Sequence, residues 1–354
     1  MTSTPVTTGP IDLDAVRAGV DAVLNGFLQH KSATAARGNL PGDVTRCLGE
    51  FLTAGGKRLR PLLCVVGWYA AGGHDDPERV LRAAASLELF HAFALIHDDI
   101  MDNSPTRRGR ATVHRALAAG RGHATDPDRW GAGAAILIGD MALAWSDELL
   151  HTTRPTPLLL HVVDSMREEI IYGQYLDLLA PDRPLTDVDA AFRVIRYKTA
   201  KYTIERPLHA GAALAGVGEA ILEPMSRFAM PLGEAFQLRD DLLGVFGDPA
   251  RTGKSVLDDL REGKHTVLLA LAARNADPCQ LALLRRLVGA PALDDDGAVD
   301  VRRVLEVTGA RATVEGMIAA RYQQALAAVD DLPCPSAAAG ALRHIAALAV
   351  ERAS

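Results

Sequence analysis

Between His91 and His114 the chain reads HAFALIHDDIMDNSPTRRGRATVH, and the residues best suited to chemistry gather there. Asp98, Asp99 and Asp102 close an apolar segment, and Arg107, Arg108 and Arg110 follow within one loop. On a helix, Asp98 and Asp102 are four residues apart and project from one face, where their like charges repel. A divalent cation reverses that cost. Mg2+ prefers oxygen ligands and commonly combines one or two protein carboxylates with phosphate oxygens. Guanidinium groups form paired, charge-assisted bonds to phosphate. The stretch therefore reads as a Mg2+-diphosphate site, although a solvated charge run at a helix end has the same composition.

Other segments bear on that choice. Gly55-Gly56-Lys57-Arg58-Leu59-Arg60-Pro61 frees the backbone, supplies three cations and ends in a proline suited to a helix start. A loop entering a helix N-terminus attracts anions, but a capped loop with solvated cations fits as well. Gln174 and Asp177 share a helix face and either orient groups near a site or sit on a polar surface. Lys198, before Thr199, is favoured at a helix end in any case. The run Gln237-Leu238-Arg239-Asp240-Asp241 closes a second long apolar helix, with Lys254 and Lys264 downstream. Two aspartate pairs on apolar helices, each with cations soon after, are hard to read as solvated faces. Folded face to face they would hold a polyanion through bridging metal ions.

The elements that must position these residues read as helices almost throughout. Apolar residues recur at three- and four-residue spacing, including 42–53, 59–71, 78–101, 131–150, 156–179, 187–201, 202–215 and 219–246. No set of alternating strands and no fixed-period repeat is evident. The expectation is one all-α domain over 11–354, a helical bundle around a deep central apolar cavity, after a short mobile tail at 1–10.

Composition narrows the function. The chain has 354 residues, is 48% hydrophobic and carries a net charge of −6, which gives no reason to expect nucleic acid. Cys47, Cys64, Cys279 and Cys334 lack zinc-site spacing and fit thiols in a reducing cytoplasm. No run approaches ~18 unbroken apolar residues, so no membrane span is expected.

In order and spacing, GGKRLRP, DDIMD followed by RRG, GQYLD, KT, and QLRDD with its trailing lysines resemble the trans-isoprenyl diphosphate synthases (polyprenyl synthetase family) from about Arg37 onward. Support is weaker after Ala276. The resemblance implies an all-α homodimer that condenses isopentenyl diphosphate head-to-tail with an allylic diphosphate (dimethylallyl, geranyl or farnesyl). It implies Mg2+, three ions bound together with the substrate diphosphate. Asp98 and Asp102 would bind metal with Asp99 in support, and Asp240 would do so with Asp241 in the outer shell. Lys57, Arg60, His91 and Arg108 would hold isopentenyl diphosphate. Arg107, Lys198, Gln237, Lys254 and Lys264 would hold the allylic diphosphate, and Thr199 would lie near the reacting carbon. Gly244 departs from the family's DDxxD pattern, whose last position is an aspartate usually acting through water.

The resemblance also bears on product length. Phe93 lies five residues before Asp98, about 7–8 Å along a helix at ~1.5 Å per residue. Ala94 is small and lies four before, and Phe90 lies eight before. With no insertion in DDIMD, this resembles the pattern of archaeal-type enzymes making geranylgeranyl diphosphate (C20), although aromatic residues at helical spacing are ordinarily core. Three rivals are weaker. A terpene cyclase needs one diphosphate site and usually carries an NSE-type second motif. A regulatory subunit of a heteromeric synthase typically loses its aspartates. A di-iron protein needs a second Glu-x-x-His beside Glu88 and His91.

Overall fold

Helix starts in this protein are set by a recurring Asp-Pro pair. Asp76 and Asp126 each accept a hydrogen bond from the backbone N–H three residues on, and Pro77 and Pro127 fill the first helical position. Asp277 and Pro278 repeat the device as a full capping box with Gln280. The aspartate satisfies a donor left open at the helix end, and proline needs none there. The computed structural model describes residues 9–121, 125–247 and 257–350. The chain divides into two compact units. One runs up to Val162 and adds Pro207–Ile221 and Pro333–Ala341; the other holds Val163–Arg206, Leu222–Leu332 and the chain from Leu342.

In the first unit, α1 (Leu13–Arg37), α2 (Asp43–Thr53), α3 (Leu59–Ala70) and α4 (Pro77–Met101) are followed by a two-stranded hairpin. Its strands, β1 (Thr106–Arg107) and β2 (Arg110–Ala111), pair antiparallel. Then come α5 (Val113–Ala119) and α6 (Pro127–His151). Helix α4 packs along α6. A Cβ added at Gly139 of α6 would lie 2.4 Å from the His97 ring, so the glycine permits this approach. Helix α3 is buried along most of its length. It crosses α9 (Arg206–Leu214) backbone to backbone: a Cβ at Gly67 would meet the Leu208 carbonyl at 2.2 Å. Helix α4 is long and apolar enough to cross a membrane, but most of it is buried as the core of this unit.

The second unit takes α7 (Pro157–Leu178) from Val163, then α8 (Val188–Val194), α10 (Leu222–Phe246) and α11 (Asp258–Arg261). The later helices Val267–Asn275, Pro278–Leu287, Asp295–Val307 and Ala310–Asp330 complete it with the end of Ser336–Val350. Helix α10 packs against Ala310–Asp330 and against a π-helix, Ile195–Glu205.

The fold is all-α, as expected, and the long helices fall where the periodicity places them. Three readings are corrected. The two helices expected at 187–201 and 202–215 are one continuous run, α8 and α9 joined by the π-helix. The short α5 and α11 carry too few residues to show a period. Pro61 lies in the third position of α3, because Arg58 caps that helix in the left-handed conformation at φ 50°. The expected tail at 1–10 falls mostly outside the described residues.

Candidate active site

In the first unit, α4 presents His91, Asp98 and Asp99 on its last turns, with Asp102 as its C-cap. Beyond it, Arg108 and Gly109 form the hairpin turn, both left-handed at φ 53° and 72°, the shape a two-residue hairpin loop requires. The turn sends adjacent arginines to different anchors. Arg107 Nε donates to both carboxylate oxygens of Asp99, at 2.8 and 2.9 Å, and its Nη2 lies 3.3 Å from Asp98. Arg108 donates to the Gly55 carbonyl. Asp99 is 1% exposed, so it braces Arg107, while Asp98 keeps its carboxylate at the surface of the cluster. Burial raises the Asp99 pKa, and its bonds to Arg107 oppose that rise.

The glycine loop completes this cluster. Gly55 adopts φ 89°, a conformation that glycine enters at little cost. Lys57 is exposed and Arg60 half-buried. Between them Arg58 turns inward: its guanidinium donates to Glu88 at 2.7 Å, to Asp21 at 2.9 Å and to the Leu52 carbonyl at 2.7 Å. Glu88 is therefore committed to an arginine. Burial, then the charges of Arg60, Arg108, Arg107 and Arg58, hold the His91 pKa well below its ordinary value. Four guanidiniums close enough to act on one imidazole form an environment prepared for an anion.

In the second unit the π-helix carries Lys198 and Thr199. Lys198 bonds Asp177 of α7 at 2.7 Å. The Thr199 hydroxyl donates to Gln237 Oε1 at 2.7 Å, and Gln237 Nε2 donates to Asp241 Oδ1 at 2.8 Å. Burial, with repulsion from Asp259 and Asp240, pushes the Asp241 pKa up to about 7 against the Gln237 bond. Two glycines admit the π-helix. A Cβ at Gly173 would lie 2.4 Å from the Lys198 nitrogen, and one at Gly233 would lie 2.4 Å from the Ala200 Cα. Glu169 then fixes the helix end, bonding Lys201 at 2.6 Å and Arg206 through both oxygens at 2.7 Å. Lys264 pairs with Glu262 at 2.7 Å. Lys254 lies outside the described residues.

So the structure gathers Lys57, Arg60, His91, Asp98, Asp99, Asp102, Arg107 and Arg108 in one unit. Lys198, Thr199, Gln237, Asp240, Asp241 and Lys264 lie in the other. Phe90 is buried, and its ring centroid lies 5.4 Å from that of half-buried Phe93, whose ring in turn sits 4.7 Å from the His97 ring at a tilt of 57°. Ala94 is half-buried beside it. Sequence reading gave no role to Glu169, Lys201, Arg206 and Asp259; it counted Arg58 among the three cations of the glycine loop and took Glu88 only as part of a metal motif. Each acts across a long sequence separation that leaves no local pattern.

Among the described residues, no three His, Cys, Asp or Glu side chains converge as a ready metal cage. Asp98 and Asp102, one turn apart beside a cation cluster, instead fit Mg2+ shared with a diphosphate, because that ion commonly takes one or two carboxylates and completes its shell with phosphate and water.

Comparison with known proteins agrees with this geometry. The polyprenyl synthetase family model matches residues 43–305. Geranylfarnesyl diphosphate synthase of Aeropyrum pernix is 36% identical over 254 residues, 70% of this chain and 74% of that protein. The all-trans-nonaprenyl-diphosphate synthase (geranyl-diphosphate specific) of Rhodobacter capsulatus is 32% identical over 306 residues, 86% of this chain and 87% of that protein. A crystal structure of geranylgeranyl pyrophosphate synthase from Corynebacterium glutamicum, complexed with isoprenyl diphosphate and magnesium, aligns with a TM-score of 0.91 and 41% identity. The alignment covers 97% of this chain and 100% of that one. With a family match across most of its length and relatives that align over most of theirs, the chain belongs to the polyprenyl synthetase family of trans-prenyltransferases.

Proposed function

We propose that this enzyme makes geranylgeranyl diphosphate, condensing isopentenyl diphosphate with an allylic diphosphate. The observation that carries the reading is the aspartate run of α4, Asp98 and Asp102 one turn apart, with Arg107 bonded to it and Arg108 tied to the glycine loop. Lys57, Arg60, His91 and Arg108 bind the isopentenyl diphosphate. Arg107, Lys198, Gln237, Lys254 and Lys264 bind the allylic diphosphate. Mg2+, three ions held by Asp98, Asp102 and Asp240 with Asp99 and Asp241 in support, supplies charge neutralisation of the leaving diphosphate when bound. The arginines and lysines stabilise the charge that develops there as the allylic C–O bond breaks, from positions already fixed by Asp99, Asp177 and Gly55. Thr199, oriented by Gln237, stands near the reacting carbon. The double bond of isopentenyl diphosphate attacks that carbon, and the departing diphosphate takes the proton lost.

Phe90 and Phe93 set the product length. They lie eight and five residues before Asp98 on α4, their ring centroids 5.4 Å apart, with half-buried Ala94 next to Phe93 in the chain. The C. glutamicum synthase supports the same length, while the names of the two relatives specify other products. The working form is a homodimer in the cytoplasm. In support of the dimer, α6 leaves Leu137 and Met141 exposed one turn apart.

The test is incubation of the purified protein with Mg2+, isopentenyl diphosphate and dimethylallyl, geranyl or farnesyl diphosphate. The dephosphorylated products are then separated by chromatography. The C20 alcohol is expected as the main product. A C15 or C25 main product refutes the length assignment, and turnover without isopentenyl diphosphate refutes the condensation.

A further inference from the structure

Phe93 does not stand alone on α4. It comes three residues after Phe90 and four before His97, so the three rings follow one another along a single stripe of the helix. The Phe93 ring centroid is 5.4 Å from that of Phe90 and 4.7 Å from that of His97. Phe90 is 1% exposed and belongs to the core. His97 is held from two helices. Its Nδ1 donates to the Phe93 carbonyl at 3.0 Å, and its Nε2 faces Oδ1 of Asp140 on α6 at 3.4 Å. Gly139, the residue before Asp140, admits the ring: a Cβ there would lie 2.4 Å from His97 Cε1 and 2.6 Å from Nδ1. Non-bonded atoms do not approach so closely, so any other residue at 139 would drive the imidazole from its seat.

A prenyl chain that meets the Phe93 ring grows further only if that ring turns aside. Phe90 flanks it on one side along the stripe and His97 on the other. We propose that His97 is a positioning residue for product length: seated by Gly139 and Asp140 of α6, it holds the Phe93 ring in the pose that stops the chain. This rests on the reading above that Phe93 limits the product. It adds that the limit is set by two helices, so that residues of α6 outside both aspartate runs influence chain length through the His97 ring.

The test is the ratio of C25 to C20 alcohol that purified full-length variants make from farnesyl diphosphate, isopentenyl diphosphate and Mg2+, read at matched consumption of isopentenyl diphosphate. One aromatic contact is worth about 2–10-fold in the population of a ring pose, so His97→Ala raises the ratio about fivefold. His97→Phe keeps a ring on the same stripe and returns the ratio to within about twofold of the wild type. A residue that served stability alone would lower the melting temperature and leave the ratio where it was. The assignment is overturned if Phe93→Ala lengthens the product while a folded His97→Ala stays within about twofold of the wild-type ratio. It is also overturned if His97→Phe is no nearer the wild type than His97→Ala. Should His97→Ala fail to fold by circular dichroism, Gly139→Ala, whose methyl group displaces the same ring, decides by the same criterion. An unchanged product from Phe93→Ala overturns the underlying reading of Phe93, a different failure from either of these.

Discussion

Replacing Glu88 with alanine removes the carboxylate facing Arg58 in a part of the first unit that water hardly reaches. The two side chains are 9% and 6% exposed and their nitrogen–oxygen distance is 2.7 Å. Taking one partner from such a pair leaves the other buried and uncompensated, at a cost of about 3–5 kcal/mol. Arg58 keeps its bonds to Asp21 and to the Leu52 carbonyl, which places the expected loss near the lower end, about 3 kcal/mol. Asp21 is a control within the same cluster. Its side chain is 47% exposed, so Asp21→Ala should cost at most about 1 kcal/mol. Urea unfolding followed by far-ultraviolet circular dichroism measures both. A combined Arg58→Met, Glu88→Leu variant should recover most of the loss, because apolar side chains of similar volume avoid burying a lone charge. The same change loosens the loop carrying Lys57 and Arg60, so the Michaelis constant for isopentenyl diphosphate should stay raised in the recovered variant. The reasoning fails if Glu88→Ala costs no more than Asp21→Ala, or if the double variant is less stable than Glu88→Ala.

Four further outcomes are expected. Gly173→Ala drives a methyl group toward the Lys198 nitrogen; overpacking of this kind costs about 1–3 kcal/mol, and turnover should fall more than the melting temperature, measured in parallel. Burial would raise the Glu169 pKa, but its bonds to Arg206 and Lys201 outweigh burial and hold it below the ordinary 4.5. Its contribution is therefore present above that value and lost as pH falls through the depressed one, so Glu169→Gln should flatten the fall in melting temperature on acidification below about pH 4.5. Phe93→Ala removes a ring five residues before Asp98 on α4 and should lengthen the product, read by chromatography of the dephosphorylated alcohols. Asp98→Ala should abolish turnover while leaving the circular dichroism spectrum native.

The long helices were legible because their apolar spacing repeats over many turns and their starts carry Asp-Pro signals such as Asp76-Pro77. The residue groups of both aspartate runs were legible because each lies within a few residues of its neighbours. The π-helix was not. It depends on Gly173 and Gly233, which come from two other helices, and Ile195–Glu205 offers no local sign of the wider turn. Nor could local chemistry reveal that Arg58, one cation among three, turns inward to Glu88 while Lys57 stays exposed; the choice is made by a left-handed residue and by a partner 30 positions away.

The hairpin turn at Arg108-Gly109 has a consequence for how the first cluster responds to a guest. Arg107 is tethered to the aspartate run and Arg108 to the glycine loop, and one peptide bond joins them. A turn with two left-handed residues has few other shapes, so the two tethers form a strap of nearly fixed length. An anion bound at the glycine loop would compete with the Gly55 carbonyl for Arg108, one peptide bond from the residue that braces Asp99.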